Sequence, residues 1–226
     1  MTPPIVTIDG PSGSGKGTIS RAVARHAGWH LLDSGALYRL AALAGGRAGL
    51  DPNDTPGHAT LARTMNVAFR TGAGGGELVL LDGQDVTSDL RSEAAGAGAS
   101  RVAAWPELRA ALLARQQAFA QPPGLVADGR DMGTVVFPQA SLKIFLTASA
   151  EERARRRYKQ LKDKGSDVSL AALSREIAER DLRDTTRAVA PLKPAPDAEV
   201  IDSTALPIEA VVAEVLQIGR RRSLWP

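Results

Sequence analysis

The sequence predicts an α/β fold: a five-stranded parallel sheet flanked by helices, with a small antiparallel β subdomain inserted in it. Three observations carry this reading. Residues 5–8 are almost all β-branched and lead into a loop holding Gly10, Gly13 and Gly15, after which Ile19, Ala22, Val23 and Ala27 recur at helical spacing. Further short apolar runs near 29–32, 124–128, 142–146 and 199–202 alternate with helical patterns, as parallel strands joined by right-handed crossovers do. Between the second and third of these runs the texture changes. There Gly, Asp, Pro and Thr crowd residues 45–58, and strand and turn signals follow.

The first strand, 4–8, opens the element that organises the chain, Gly10-Pro11-Ser12-Gly13-Ser14-Gly15-Lys16-Gly17-Thr18. Its glycines let the backbone turn sharply and bring N–H groups close to an anion. The following helix points its positive end at the same place, and Lys16 adds a full charge that reaches between two phosphates. The spacing predicts a triphosphate cradle. The common pattern has a hydroxyl directly after the lysine. Here Gly17 stands there and the hydroxyl comes at Thr18, a form that resembles the phosphate loop of nucleoside monophosphate kinases. Mg²⁺ is therefore expected to be held mostly by phosphates and water, with no protein ligand assigned.

The second strand ends on Asp33, and Ser34 is placed to cap the helix that carries Leu37, Arg39, Leu40 and Ala41. In the insert, Val67–Arg70 and Glu77–Leu81 read as strands, Gly72–Gly76 as a turn, and Asp82-Gly83 as a hairpin leading to Gln84-Asp85-Val86. Residues 91–117 read as helical with a break at Trp105-Pro106. The third core strand ends on Asp128-Gly129-Arg130-Asp131, at the C-terminal edge where open parallel sheets bind ligands.

Residues 150–162 form an arginine-rich helix. Glu151 precedes Arg155 by four and Glu152 precedes Arg156 by four, the favourable order for helical ion pairs. Arg157 has Arg153 at that spacing instead, so these two lack an acidic partner on their own helix and are the candidates for an external anion. A further helix is expected from Leu170 to Arg183, and Arg180, Asp184 and Arg187 share a face if it continues. The last strand is 199–202 and the last helix runs from Pro207 to Arg222.

Composition bounds the function. The 226 residues are 43% hydrophobic, enough for a real core, and only 4% aromatic, so Ala, Val, Leu and Ile build it. With no cysteine, disulfides and thiolate metal sites are excluded. His26, His30 and His58 have no mutual spacing that suggests a metal site. No basic leader, long apolar run or repeat is visible, so a cytoplasmic protein without a membrane partner is expected. The net charge of +3 suits a phosphate-binding enzyme and weak nucleic-acid affinity alike.

With Asp33-Ser-Gly-Ala-Leu-Tyr-Arg39, Asp128-Gly-Arg-Asp-Met-Gly-Thr134 and Arg180-Asp-Leu-Arg-Asp184 on the page, the chain resembles bacterial cytidylate kinases from about residue 4 to 220. The resemblance implies a P-loop kinase fold and transfer of the ATP γ-phosphate to CMP or dCMP with Mg²⁺. It implies one domain with a core (about 1–44, 118–148 and 190–226), a monophosphate-binding insert (about 45–117) and an arginine-rich helical lid (about 149–189). It assigns residues 10–18 to ATP, and Lys16, Arg130, Arg153 and Arg157 to the transferring phosphoryl group. Asp131 and Arg109, with Ser100 nearby, fall to the base. Ser34, Arg39 and Arg130 fall to the acceptor phosphate. Arg180 and Asp184 fall to the ribose, with Arg187 in the same pocket. A monomer with nucleotides as its only partners is expected.

Two other readings start from the same residues. One is a small-molecule alcohol kinase of the shikimate or gluconate kind, with Asp33 or Asp128 as base. The other is a nucleotide-dependent nucleic-acid-binding protein using Arg153–Lys159 and the Arg220-Arg221-Arg222 tail.

Overall fold

The computed structural model describes residues 3–71, 77–163 and 165–225. The chain forms two compact units. One comprises residues up to Asp33 together with Gln116 onward, and the other comprises Ser34–Arg115. The turn expected at Gly72–Gly76 lies outside the described residues.

The first unit is built on a parallel sheet of β1 (Ile5–Asp9), β2 (His30–Asp33), β6 (Leu125–Gly129), β7 (Leu142–Thr147) and β8 (Glu199–Asp202), in the order β2-β6-β1-β7-β8. Each strand starts within a residue of its predicted place. β1 is central and buried along its whole length, with Asp9 beside Gly129 on one side and Phe145 on the other. This is why its β-branched run has no polar alternation. The sheet order reverses about β1, so the loop after it opens at the place where such sheets bind ligands.

One face of the sheet is covered by α1 (Lys16–Ala27) and α9 (Ile208–Arg221). Ile19, Val23, Val211, Val215 and Ile218 pack on Val6, Ile8, Ile144 and Leu146. The chain then folds back so that Trp225 lies in this core. Its ring covers Gly219, where a Cβ would come within 1.8 Å of the indole. Two more helices, α7 (Ala150–Lys162) and α8 (Leu170–Thr186), follow β7. α8 runs past Arg183, as the shared face of Arg180 and Asp184 requires, and Arg187 is its C-cap.

The second unit packs α2 (Ser34–Arg47), α3 (Thr55–Thr64), α4 (Thr87–Leu90), α5 (Glu93–Val102) and most of α6 (Pro106–Gln117) with an antiparallel sheet of β3 (Val67–Thr71), β4 (Glu77–Leu81) and β5 (Gln84–Asp85). Asp82 and Gly83 both have positive φ, 51° and 80°, as a two-residue hairpin matching strand twist demands. Two details differ from expectation. α2 begins at Ser34 itself, directly after β2, so Ser34 lies inside its first turn instead of capping it. Within the Gly- and Pro-rich text, α3 forms because Asp54 accepts the Gly57 N–H at 2.9 Å with a proline in the first turn.

Two glycines of the first unit separate shape from conformation. Gly10 has φ 150°, and a Cβ there would sit 1.9 Å from the Leu146 carbonyl oxygen, so neither the backbone nor the neighbouring strand can accept it. Gly28 caps α1 at φ 68° in open space. Gly28→Ala should cost about 1–2 kcal/mol from left-handed strain alone. Gly10→Ala should cost more than about 4 kcal/mol. Urea unfolding of the two variants against wild type measures the difference.

Candidate active site

The phosphate loop keeps its shape through glycines and internal bonds. Gly13 and Gly15 have φ 79° and 95°, and the Gly15 carbonyl accepts the N–H groups of Thr18 and Ile19 at 3.0 and 3.1 Å to start α1. Ser14 Oγ and Lys16 Nζ both donate to the Pro11 carbonyl, at 3.1 and 2.7 Å. Gly17 faces Asp128: a Cβ there would lie 3.4 Å from Asp128 Oδ2 and 3.6 Å from the Arg21 guanidinium.

Lys16 and Asp9 are buried, and Asp128, half-buried, lies close enough to Lys16 to act on it. Burial, then the positive charge of Arg130, depress the Lys16 ammonium well below its ordinary range, and Asp128 opposes the shift. Burial raises Asp128, against the pull of Lys16, and the neighbouring Asp33 raises it further. Asp33 and Asp128 are register partners at the C-terminal ends of β2 and β6. Burial also raises Asp9 to about 7, although two backbone N–H groups oppose it. Those groups are Met132 N–H and Gly133 N–H, at 2.9 and 2.8 Å. They open a π-helical turn, Met132–Val136, that sequence reasoning did not foresee.

The loop after β6 carries Arg130 and Asp131. Arg130 Nε donates to Asp184 Oδ2 at 3.0 Å and its Nη1 donates to the Gly129 carbonyl at 3.1 Å. Asp131 lies 3.7 Å from Arg187 Nη2, both side chains almost wholly buried. Arg180 is close enough to lower the Lys16 pKa. The first unit thus brings together Lys16, Arg130, Asp131, Arg180, Asp184 and Arg187, which lie as much as 171 positions apart in sequence.

The arginines of α7 sort differently from their helical spacing. Arg155 pairs with Glu151 at 2.6 Å and Arg156 with Glu152 at 2.9 Å, as expected. Arg153 has no acidic partner on its own helix, as expected, but the expectation that it is left unpaired for an external anion is corrected. Its side chain is only 5% exposed and is gripped in bidentate fashion by Asp181 of α8, at 3.0 and 2.5 Å. Its remaining bonds run to the carbonyls of Ala148 (2.9 Å) and Ser12 (3.1 Å), and its Cβ lies over Gly13. Spacing along one helix could not show a partner 28 residues away. Arg153 fastens the phosphate loop to α8 with these donors. Arg156 also donates to Ser203 O and Oγ, at 2.5 and 3.1 Å, so it joins α7 to the end of β8. Arg157 donates to Gln160 at 2.7 Å.

In the second unit Ser34 opens α2 and is buried, and Arg39 donates to the Leu90 carbonyl. Arg109 is buried with its guanidinium 5.7 Å from the Tyr38 ring centroid, and it donates to the Ala103 carbonyl at 3.3 Å. Ser100 is buried on α5. Sequence reasoning missed Asp9 and Asp181. Asp9 had a signal: Asp9-Gly10 and Asp128-Gly129 both end buried strands in an acid before a glycine.

A family model described as cytidylate kinase matches residues 6–221. The chain belongs to the cytidylate kinase family. A cytidylate kinase of Stutzerimonas stutzeri (strain A1501) is 60% identical over 222 residues, 98% of this chain and 97% of that protein. One from Pseudomonas aeruginosa (strain LESB58) is 59% identical over 220 residues, 97% of this chain and 96% of that protein. Among solved structures, a gluconokinase from Sinorhizobium meliloti 1021 is 18% identical with a TM-score of 0.46, covering 97% of this chain and 93% of its own. Among the described residues no helix is long and apolar enough to cross a membrane.

The raised Asp9 pKa has a measurable consequence in this cytidylate kinase fold. Between its ordinary 3.8 and about 7 the folded chain holds this proton more tightly than the unfolded chain. Stability from this group is therefore lost as pH rises through that window. Asp9→Asn, which cannot titrate, should show a shallower fall in Tm between those pH values than wild type. Equal slopes in the two proteins would refute the assignment.

Proposed function

We propose that the chain transfers the γ-phosphoryl group of ATP to CMP or dCMP, giving ADP and CDP or dCDP. The observation that carries this reading is the joining of the phosphate loop, through buried Asp9, to the turn bearing Arg130 and Asp131. Donor and acceptor residues are thereby held by one rigid connection at the sheet edge. The acceptor is a phosphate oxygen already ionised near neutral pH, so no strong general base is required. The remaining work is alignment and neutralisation of charge in a loose transition state.

Residues 10–18 hold ATP, with Lys16 balancing charge between the phosphates. Ser34, Arg39 and Arg130 are assigned to the acceptor phosphate, Asp131, Arg109 and Ser100 to the base, and Arg180, Asp184 and Arg187 to the ribose and its surroundings. Cytosine presents an amino donor and acceptors, and a carboxylate with an arginine complements that edge. Arg157 is assigned to the transferring group, while Arg153 acts on it through the phosphate loop. We read residues 45–117 as the monophosphate-binding insert and 149–189 as the lid, in a monomeric cytoplasmic enzyme.

Mg²⁺ fits the donor set in part. Asp128 and Asp33 adjoin at the strand ends as hard oxygen donors. Among the described residues no group of three or more His, Cys, Asp or Glu could hold the ion alone. Phosphates and water complete the shell, as Mg²⁺ tolerates. Bound there, the ion would neutralise phosphate charge.

A coupled assay across CMP, dCMP, UMP and AMP tests the reading. CMP and dCMP should be turned over best, and equal or better turnover of AMP would overturn the base assignment. In the same assay Arg157→Ala should lose about 100-fold or more in kcat with little change in the KM for CMP, the scale for removing one donor aimed at developing charge. Arg155→Ala should stay near wild type, because its side chain is 61% exposed and its pair with Glu151 is a surface one. A larger kcat loss in Arg155→Ala would reassign the active face of α7.

A further inference from the structure

Asp131 occupies the N-cap position of the π-helical turn Met132–Val136, yet its side chain makes no cap bond. That is unusual for the residue type. An aspartate at this position ordinarily turns back and accepts an N–H group of the first turn. The backbone leaves those groups in need of acceptors: Val135 and Val136 N–H bond to the Asp131 carbonyl at 2.9 and 3.2 Å, and Phe137 N–H to Met132, but the first N–H groups have no partner within the turn. Asp9, 122 residues earlier in the chain, supplies it. Its two carboxylate oxygens accept Met132 N–H at 2.9 Å and Gly133 N–H at 2.8 Å.

The arrangement is close-fitting. Gly133 admits no side chain, since a Cβ there would come within 2.9 Å of Thr7 Oγ1 and 3.2 Å of Lys143 Cδ, so the turn sits directly on β1 and β7. Asp9 and Asp131 also repel each other, which favours an Asp131 carboxylate directed away from the cap. The side chain instead lies 3.7 Å from Arg187.

We propose that Asp9 is a positioning residue for acceptor-base recognition: by capping the Met132–Val136 turn from β1, it keeps the Asp131 side chain out of the cap and available to the base. The proposal rests on the assignment of Asp131 to the base in the preceding subsection. Asp9 does not touch the acceptor. Without its carboxylate, Asp131 becomes the nearest acceptor for the open N–H groups and is drawn into the cap.

The test is a double-mutant cycle read as base discrimination. The ratio of kcat/KM for CMP to that for UMP is measured for wild type, Asp9→Asn, Asp131→Asn and the double variant. Asn at position 9 keeps the size of the side chain but offers only one carbonyl to two N–H groups. Asp9→Asn should lower the CMP-to-UMP ratio about tenfold, the factor of roughly one hydrogen bond. It should also raise the KM for CMP. In the Asp131→Asn background the same change should have little further effect on the ratio, because the residue it acts through is already altered.

If Asp131→Asn alone leaves the ratio unchanged, the base assignment fails and the proposal with it. If Asp131→Asn lowers the ratio but Asp9→Asn does not, or lowers it by the same factor in both backgrounds, the base assignment stands and the positioning role is overturned. Should Asp9→Asn not fold, Asp9→Ser, with one hydroxyl acceptor in less volume, is read in the same cycle against the same outcomes.

Discussion

The structure depends on placing a lysine, two carboxylates and an arginine together at the end of a parallel sheet. Burial works against the charge of the lysine and of both carboxylates. Lys16 is depressed and Asp9 and Asp128 are raised, in each case with loss of hydration as the leading cause. Such a cluster is costly.

The fold exists to hold that cluster in place. Central β1 is buried from end to end, and its last residue, Asp9, is set by pairing on both sides. Gly10 lies against the Leu146 carbonyl and Gly13 against Arg153, so the loop is clamped between β7 and α7. Arg153 extends the clamp to Asp181 of α8, and Arg156 to Ser203 at the end of β8. The phosphate loop is consequently tied to the helices that carry Arg157, Arg180 and Asp184. A kinase must shield a reactive phosphoryl group from water, and these ties give loop and helices a shared geometry from which to do so.

Much of this was legible in the sequence, for identifiable reasons. β1, β6 and β7 showed because buried parallel strands read as largely apolar runs, and the hairpin showed because Asp82-Gly83 is the residue pair its positive φ values demand. The Glu151–Arg155 and Glu152–Arg156 pairs showed because they are local. What stayed hidden was tertiary. Arg153 looked unpaired because Asp181 belongs to another helix. The cap on Met132 and Gly133 was invisible because its acceptor lies on β1. The π-helical turn has no periodicity of its own, and α3 formed within Gly- and Pro-rich text because of one capping carboxylate, Asp54.

Burial holds Lys16 depressed, and a polyphosphate seated in the loop is expected to restore its charge. Proton linkage tests this most directly. Metal-free ATP is titrated into the protein at pH 8 by calorimetry, in buffers of different ionisation enthalpy, with Lys16→Met as the reference. At that pH a depressed Lys16 is largely neutral and the raised carboxylates are largely ionised. Net proton uptake on ATP binding is expected in wild type and should be markedly reduced in Lys16→Met. Proton release, no linked proton, or equal uptake in both proteins would contradict the depressed lysine.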